Sequence, residues 1–90
     1  MTYDELLGLA RAHRGAALHT TMRGKPFTVA VDRDRLVFTP ESTGKPRPES
    51  RRGAQAFLDR YNATGSTRPG DYTNDNHIPA YICALVQLRR

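Results

Sequence analysis

The chain has 90 residues, of which 38% are hydrophobic and 26% charged, which fits one small domain with a single core. Fourteen Lys and Arg against nine Asp and Glu give a net charge of +5, and the single cysteine, Cys83, excludes an internal disulfide. No apolar run approaches the roughly 18 residues of a membrane-spanning helix, and the acidic start is unlike a signal peptide. We therefore expect one domain, residues 1–90, in a cytoplasmic protein with no membrane partner.

The N-terminal segment predicts a helix. Thr2 and Glu5 form the T-x-x-E pattern of a capping box, which satisfies free backbone N–H groups at a helix start. Gly15 is suited to end the helix as a C-cap. Apolar residues recur at the spacing of one helical face, namely Tyr3, Leu6, Leu7 and Ala10.

Three strands are predicted next. Residues 16–22 and 27–31 alternate in polarity, and residues 35–39 form a third apolar run. The polar turns between them, 23–26 and 32–34, are short enough for an antiparallel meander. We expect one face of this sheet to lie on the core and the more polar face to be open to solvent or ligand.

A basic loop, residues 39–52, joins the third strand to a second helix. It contains three prolines, one glycine and four cations in fourteen positions. Ser50 is the expected N-cap of a helix that runs to about Asn62, and Gly65 is the expected stop signal. The apolar face of this helix consists of Ala54, Phe57, Leu58 and Tyr61.

A second long loop, residues 65–76, precedes the last segment, Ile78 to Leu88. The apolar pattern of this segment fits both a helix and a strand, but Asn76 as N-cap and Pro79 in the first turn favour the helix. The predicted fold is α+β in the order α-β-β-β-α-α, with helices packed on one face of a three-stranded antiparallel sheet. The thiol of Cys83 should be buried, together with a core of Leu6, Leu7, Phe27, Val29, Val31, Phe57, Leu58, Ile82 and Leu85.

Most of the basic excess lies in the middle of the chain, because residues 23–52 carry eight cations against four anions. A local excess attracts phosphate backbones or acidic proteins, and the free N–H groups of a helix N-terminus also favour phosphate. We predict that the basic loop contacts phosphates around the start of the second helix, and that residues of the second loop stack on bases. The predicted nucleic-acid-binding residues are Arg23, Lys25, Lys45, Arg47, Arg51, Arg52, Arg68 and Tyr72.

A glycine and a cation cluster precede the Ala-rich start of the second helix, comprising Gly44, Lys45, Arg47, Arg51 and Arg52, then Ala54 and Ala56. In this placement, and in the order α-β-β-β-α, the chain resembles the double-stranded RNA-binding domain. The Gly-Pro-x-His segment of that family is missing from residues 24–27. The resemblance is one of topology, and it implies contact between these cations and structured RNA.

Enzymatic motifs are incomplete. Residues 43–45 have the Thr-Gly-Lys order that ends a phosphate-binding P-loop, but Pro46 stands where that motif needs Ser or Thr. The three histidines are scattered without metal-ligand spacing, so we predict no metal site and no cofactor. Turn chemistry explains Asp32 and Asp34, which would otherwise suggest a nuclease centre with Glu41 and Lys45.

The sequence thus predicts a small non-enzymatic domain that binds DNA or structured RNA. Three alternatives stay open at this point. One is a protein-binding accessory or inhibitor protein from a mobile element or phage, for example with an anti-defence role. The others are a nuclease and a basic loop that is only solvated.

Overall fold

The computed structural model describes residues 1–20, 23–72 and 79–89. Within these ranges the chain forms an α+β fold with three α-helices and one antiparallel sheet. The helices are α1 (Tyr3–Ala12), α2 (Arg51–Thr64) and α3 (Pro79–Gln87), and a short 3₁₀ helix, Pro69–Tyr72, precedes α3. The strands are β1 (Leu18–His19), β2 (Pro26–Asp32), β3 (Arg35–Pro40) and β4 (Arg47–Pro48). None of the helices in these ranges has the length and apolar character needed to cross a membrane.

The sheet has four strands in the order β1-β2-β3-β4, so the prediction of a three-stranded sheet is wrong. The extra strand, β4, lies inside the basic loop, where Arg47 pairs with Phe38 and Pro48 pairs with Val37. A two-residue strand has no readable alternation, and a proline in it normally argues against a strand. Pairing with β3 fixes the course of the basic loop along one edge of the sheet.

Local capping signals place the helix boundaries. In α1 the capping box is formed, because the Glu5 N–H donates to Oγ1 of Thr2 and the Thr2 N–H donates to Oε1 of Glu5. In α2 the Gly53 N–H donates to Oγ of Ser50 at 2.9 Å. Gly65 ends α2 with φ of 70°, a left-handed conformation that glycine adopts without a Cβ penalty.

Several boundaries differ from the prediction, and α2 ends at Thr64 rather than at about Asn62. The C-cap of α1 is His13, so Gly15 lies in the turn beyond the helix rather than at its cap. Strand β1 covers only Leu18–His19 of the predicted strand 16–22, and Met22 lies outside the described residues. Within the described part, Leu18 and Thr20 are buried and His19 is exposed, which is the predicted alternation.

The last segment is a helix, α3, as its proline predicted. The predicted N-cap Asn76 and the predicted first residue Ile78 lie outside the described residues. Pro79 opens the helix, where its missing N–H has no intrahelical partner to lose. Five consecutive residues of α3 are buried, Ile82, Cys83, Ala84, Leu85 and Val86.

The core lies between the helices and one face of the sheet. Val29 and Phe38 are cross-strand partners on this face and both are fully buried. Helix α1 contacts β2 and β3, and α3 contacts β1. All predicted core residues are buried except Val31, which is half-buried near the end of the β2–β3 hairpin. On the opposite face the less buried side chains are Thr28, Ala30, Val37 and Thr39.

Candidate functional site

The turn between β1 and β2 carries two of the predicted cations, Arg23 and Lys25. Thr20 organises this turn, because its carbonyl accepts the Gly24 N–H at 2.9 Å and its hydroxyl accepts the Lys25 N–H at 3.0 Å. Thr20 is buried, so the acceptor side of both bonds is held within the fold. Gly24 has φ of 62°, which a residue with a side chain rarely adopts. These bonds fix the position of the backbone that carries Arg23 and Lys25 at the end of the sheet.

A tight turn in the basic loop positions Lys45. The Gly44 N–H donates to the Pro40 carbonyl at 2.8 Å, and φ of Gly44 is 64°. The Lys45 N–H donates to Oγ1 of Thr43 at 3.3 Å. These bonds close the loop at the end of β3, so Lys45 emerges next to the end of the sheet rather than from an extended linker.

Strand β4 positions Arg47 beside α3. Arg47 is the cross-strand partner of Phe38, so its side chain leaves from the sheet face that packs on the helices. The Tyr81 ring of α3 stacks on Phe38 with centroids 5.5 Å apart and lies 4.8 Å from the Phe27 ring. Arg47 and Tyr81 thus share one corner of the fold.

Arg68 is positioned by a hydrogen-bonded turn before the 3₁₀ helix. Its N–H donates to Oγ of Ser66 at 3.2 Å, and its carbonyl accepts the Asp71 N–H at 3.0 Å. The Ser66 hydroxyl also donates to the Asp71 carboxylate, and the Tyr72 hydroxyl donates to the Ser66 carbonyl. Hydrogen bonds to Ser66 therefore organise the second loop over residues 66–72.

These segments meet around two adjoining clefts. The larger has a volume of about 770 Å³ and is lined by Arg23 and Arg68, and the second, of about 690 Å³, is lined by Lys45. The residues that line both clefts form the wall between them, and they are Lys25, Arg47 and Tyr81. We term the whole surface the basic cleft, and its residues are Arg23, Lys25, Lys45, Arg47, Arg68 and Tyr81.

The basic cleft has an excess of positive charge. Its five cations are all exposed, and within the described ranges none of them lies within ion-pair distance of a carboxylate. Two acids line the clefts, Asp71 and Glu41, and Asp71 already accepts the Ser66 hydroxyl. Cations without such partners keep their hydrogen-bonding capacity for an anionic ligand.

Arg51 and Arg52 lie on a different surface. They line a shallow groove along α2 with Gln55 and Asp59, and this groove shares no residue with either cleft. The guanidinium carbon of Arg51 lies 4.9 Å from the centroid of the Tyr3 ring in α1. The structure therefore divides the predicted binding residues into two groups.

The start of α2 is occupied by a carboxylate of the chain itself. Glu49 is only 5% exposed, and its N–H donates to the Leu36 carbonyl at 2.8 Å. A Cβ added at Gly53, in the first turn of α2, would collide with Oε1 of Glu49. This carboxylate lies beside the first turn of α2, where its negative charge disfavours the approach of a phosphate.

Tyr72 is not accessible to a base, and the prediction that it stacks on nucleic acid is wrong. The residue is fully buried, and its ring stacks on Phe57 with centroids 4.1 Å apart. Burial raises the pKa of its phenol, whose hydroxyl donates to the Ser66 carbonyl. Tyr72 lies among polar residues in the sequence, but its side chain is part of the core.

Tyr81 is the cleft residue that the sequence analysis missed. Tyr81 was not among the predicted binding residues, yet it is half-buried and lines both clefts. Only the pairing of β4 with β3 and the packing of α3 on the sheet bring Tyr81 next to Arg47. No local sequence signal marks that proximity.

Among the described residues, no group of three or more His, Cys, Asp or Glu side chains is arranged to hold a metal ion. Comparison of the chain with family models, curated proteins and solved structures yields no match. The resemblance to the double-stranded RNA-binding domain therefore rests on element order and loop charge alone. The fourth strand is an addition to that order.

Proposed function

We propose that the protein is a small, non-enzymatic, cytoplasmic nucleic-acid-binding domain whose basic cleft contacts phosphates. The main support is the convergence of five cations from three separate segments, residues 23–25, 45–47 and 68, on one concave surface with two acids. Clefts lined by charge of one sign focus the electrostatic potential and attract polyanions. Release of counterions from the phosphate backbone then supplies most of the affinity.

The residue types suit this role. Arg23, Arg47 and Arg68 carry planar guanidinium groups that can bind a phosphate through two parallel N–H donors. Lys25 and Lys45 add compact charges that tolerate several geometries. Tyr81 adds a phenol whose hydroxyl has no hydrogen-bond partner among the described residues. None of these groups demands a particular base, so we propose binding with little sequence preference.

A binding titration with a matched control tests the proposal. The cleft variant is Lys25→Gln with Arg47→Gln. The control is Arg33→Gln with Arg35→Gln, which removes two charges from the opposite end of the β2–β3 hairpin. The end of the hairpin that carries Arg33 lies roughly 20 Å from Lys25, since β2 has seven residues at about 3.3 Å each. Affinities for a labelled oligonucleotide are measured by fluorescence anisotropy over a range of salt concentrations.

We expect the affinity of the unaltered protein to fall steeply with salt. The cleft variant should bind about tenfold or more weakly, with a salt slope shallower by about two contacts, while the control should change little. Equal losses in the two variants would show that only net charge matters. Absence of any affinity at about physiological salt would instead favour the alternative of an acidic protein partner.

A further inference from the structure

The shape and lining of the basic cleft point to a more specific ligand. We infer that it binds unpaired nucleotides of a single strand rather than the backbone of a duplex. This inference rests on the nucleic-acid-binding function proposed above. It also departs from the duplex recognition that the element order alone implies.

The dimensions of the two clefts suit a nucleotide. Their volumes, about 770 and 690 Å³, fall in the range of roughly 300–1,000 Å³ that encloses small-molecule ligands. A duplex keeps its bases stacked inside and presents phosphates on a convex surface, so it can touch the rim cations without filling a cleft. An unpaired nucleotide exposes its base and can place it inside.

The lining combines apolar surfaces with cations, and a nucleotide combines a flat base with an anionic phosphate. The larger cleft is lined by Pro69, Pro79, Ala80 and Tyr81 as well as by its cations. The second contains Pro26 and Pro40 along with Tyr81. Apolar and ring surfaces suit the flat face of any base, and the cations suit its phosphate. Contact with phosphates alone would leave these apolar surfaces without a role in binding.

The arrangement of the cations suggests the path of the strand. Lys25 and Arg47 belong to the wall between the clefts, whereas Arg68 lines only the larger cleft and Lys45 only the second. Two successive nucleotides can therefore occupy one cleft each, with the phosphate that joins them on the Lys25 and Arg47 wall. The flanking phosphates then reach the outer cations, Arg68 on one side and Lys45 on the other.

Filling the cleft without changing its charge tests this inference. Gly70 lines the larger cleft, and a Cβ added there meets no atom within 4 Å, so Gly70→Phe adds bulk to the lining without a clash at its first side-chain atom. Ala80→Leu fills the same cleft from α3 and serves as a second variant if the first does not fold. Gly8→Phe is the matched control, because Gly8 on the exposed side of α1 also has open space around its Cβ position.

The probes are a labelled 12-nucleotide single strand, the same sequence as a duplex, and an unlabelled nucleoside monophosphate as competitor. We expect the single strand to bind about tenfold or more tightly than the duplex. Gly70→Phe should remove about tenfold of single-strand affinity and leave duplex affinity unchanged, and Gly8→Phe should change neither. The monophosphate should compete only at a concentration about a hundredfold higher than the strand.

Other outcomes overturn the inference in distinguishable ways. Duplex affinity equal to or above that of the single strand, with no effect of Gly70→Phe or Ala80→Leu, would contradict it and leave the proposed function intact. Competition by the monophosphate at the same concentration as the strand would identify a free-nucleotide site. Absence of binding to both strand and duplex would overturn the inference together with the proposed function.

Discussion

The basic cleft and the start of α2 both carry cations that the sequence analysis assigned to nucleic-acid binding, but the surroundings of these cations differ. In the cleft, five cations from three segments have no carboxylate within ion-pair distance among the described residues. At the start of α2, Arg51 lies over the Tyr3 ring and the Glu49 carboxylate packs against Gly53. Charge along the sequence marked both regions equally. The fold separates them, because contacts within the chain already engage the second region.

The contacts at the start of α2 make a phosphate less favourable there. An exposed cation over an aromatic ring contributes roughly 0.5–1 kcal/mol, which a ligand would have to offset in drawing Arg51 away. The carboxylate of Glu49 repels a second anion and already interacts favourably with the helix dipole. We therefore assign Arg51 and Arg52 a smaller part in binding than the sequence analysis did.

The largest expected effect is a difference in thiol reactivity between the buried core of α3 and the exposed start of α2. Burial raises the pKa of the Cys83 thiol in α3 to about 12, so at pH 8 the thiol stays protonated and is shielded from reagents. In the variant Arg52→Cys, we expect Cys83 to react about a thousandfold more slowly than the introduced thiol at the start of α2. Labelling followed by mass spectrometry measures both rates, and they should converge in denaturant. Equal rates in the folded protein would show that α3 opens readily.

Charge reversal should separate the regions in binding. We expect Lys25→Glu with Arg47→Glu to weaken oligonucleotide binding about a hundredfold at about 0.15 M salt. Arg51→Glu with Arg52→Glu makes the same change in net charge, yet it should cost less than about tenfold. Anisotropy titrations measure both affinities. A larger loss in the second variant would move the binding surface to α2.

Removal of the buried carboxylate should affect stability rather than binding. Glu49→Ala leaves the start of α2 without its carboxylate, and we expect the free energy of unfolding to fall by about 2 kcal/mol. Glu41→Ala removes an exposed acid from the same loop and should change stability by less than about 0.5 kcal/mol. Urea denaturation measures both changes. Similar values for the two variants would mean that Glu49 is not a structural element of the helix start.

A smaller effect is expected from the phenol that was predicted to stack on bases. Tyr72→Phe keeps the ring against Phe57 and removes the hydrogen bond to the Ser66 carbonyl. The free energy of unfolding should fall by about 1 kcal/mol, and affinity for an oligonucleotide should stay within about twofold. Denaturation and anisotropy test the two statements separately. A large loss of affinity at unchanged stability would return Tyr72 to the binding surface.

The elements with local signals could be predicted from the sequence. The Thr2 and Glu5 capping box, the Ser50 cap and the Gly65 stop each depend on residues within a few positions of one another, so the helix boundaries follow from short patterns. The β2–β3 hairpin follows from polarity alternation in β2 and an apolar run in β3, joined by a short polar turn. Strand β4 has only two residues, and only its long-range partner β3 defines it.

The site shows the same division. The sequence gives the positions of the cations along the chain. Their grouping in space depends on the tertiary fold, which places Arg47 beside Tyr81 and separates it from Arg51. Glu49 is an acid in a polar loop, and nothing near it in sequence indicates burial at a helix start. Tyr72 is likewise surrounded by polar residues, although its ring packs in the core. Sequence patterns report neighbours along the chain, whereas these roles depend on neighbours in space.

An amide chemical-shift titration measures most directly which of the two surfaces binds nucleic acid. The ¹⁵N-labelled protein is titrated with a single-stranded 12-nucleotide oligomer at low salt. We predict progressive shifts at the amides of Lys25, Lys45, Arg47, Gly70 and Tyr81, with little change at Arg51, Arg52 and Gln55. Shifts concentrated at the first turns of α2, with the cleft amides unmoved, would contradict the assignment of binding to the basic cleft.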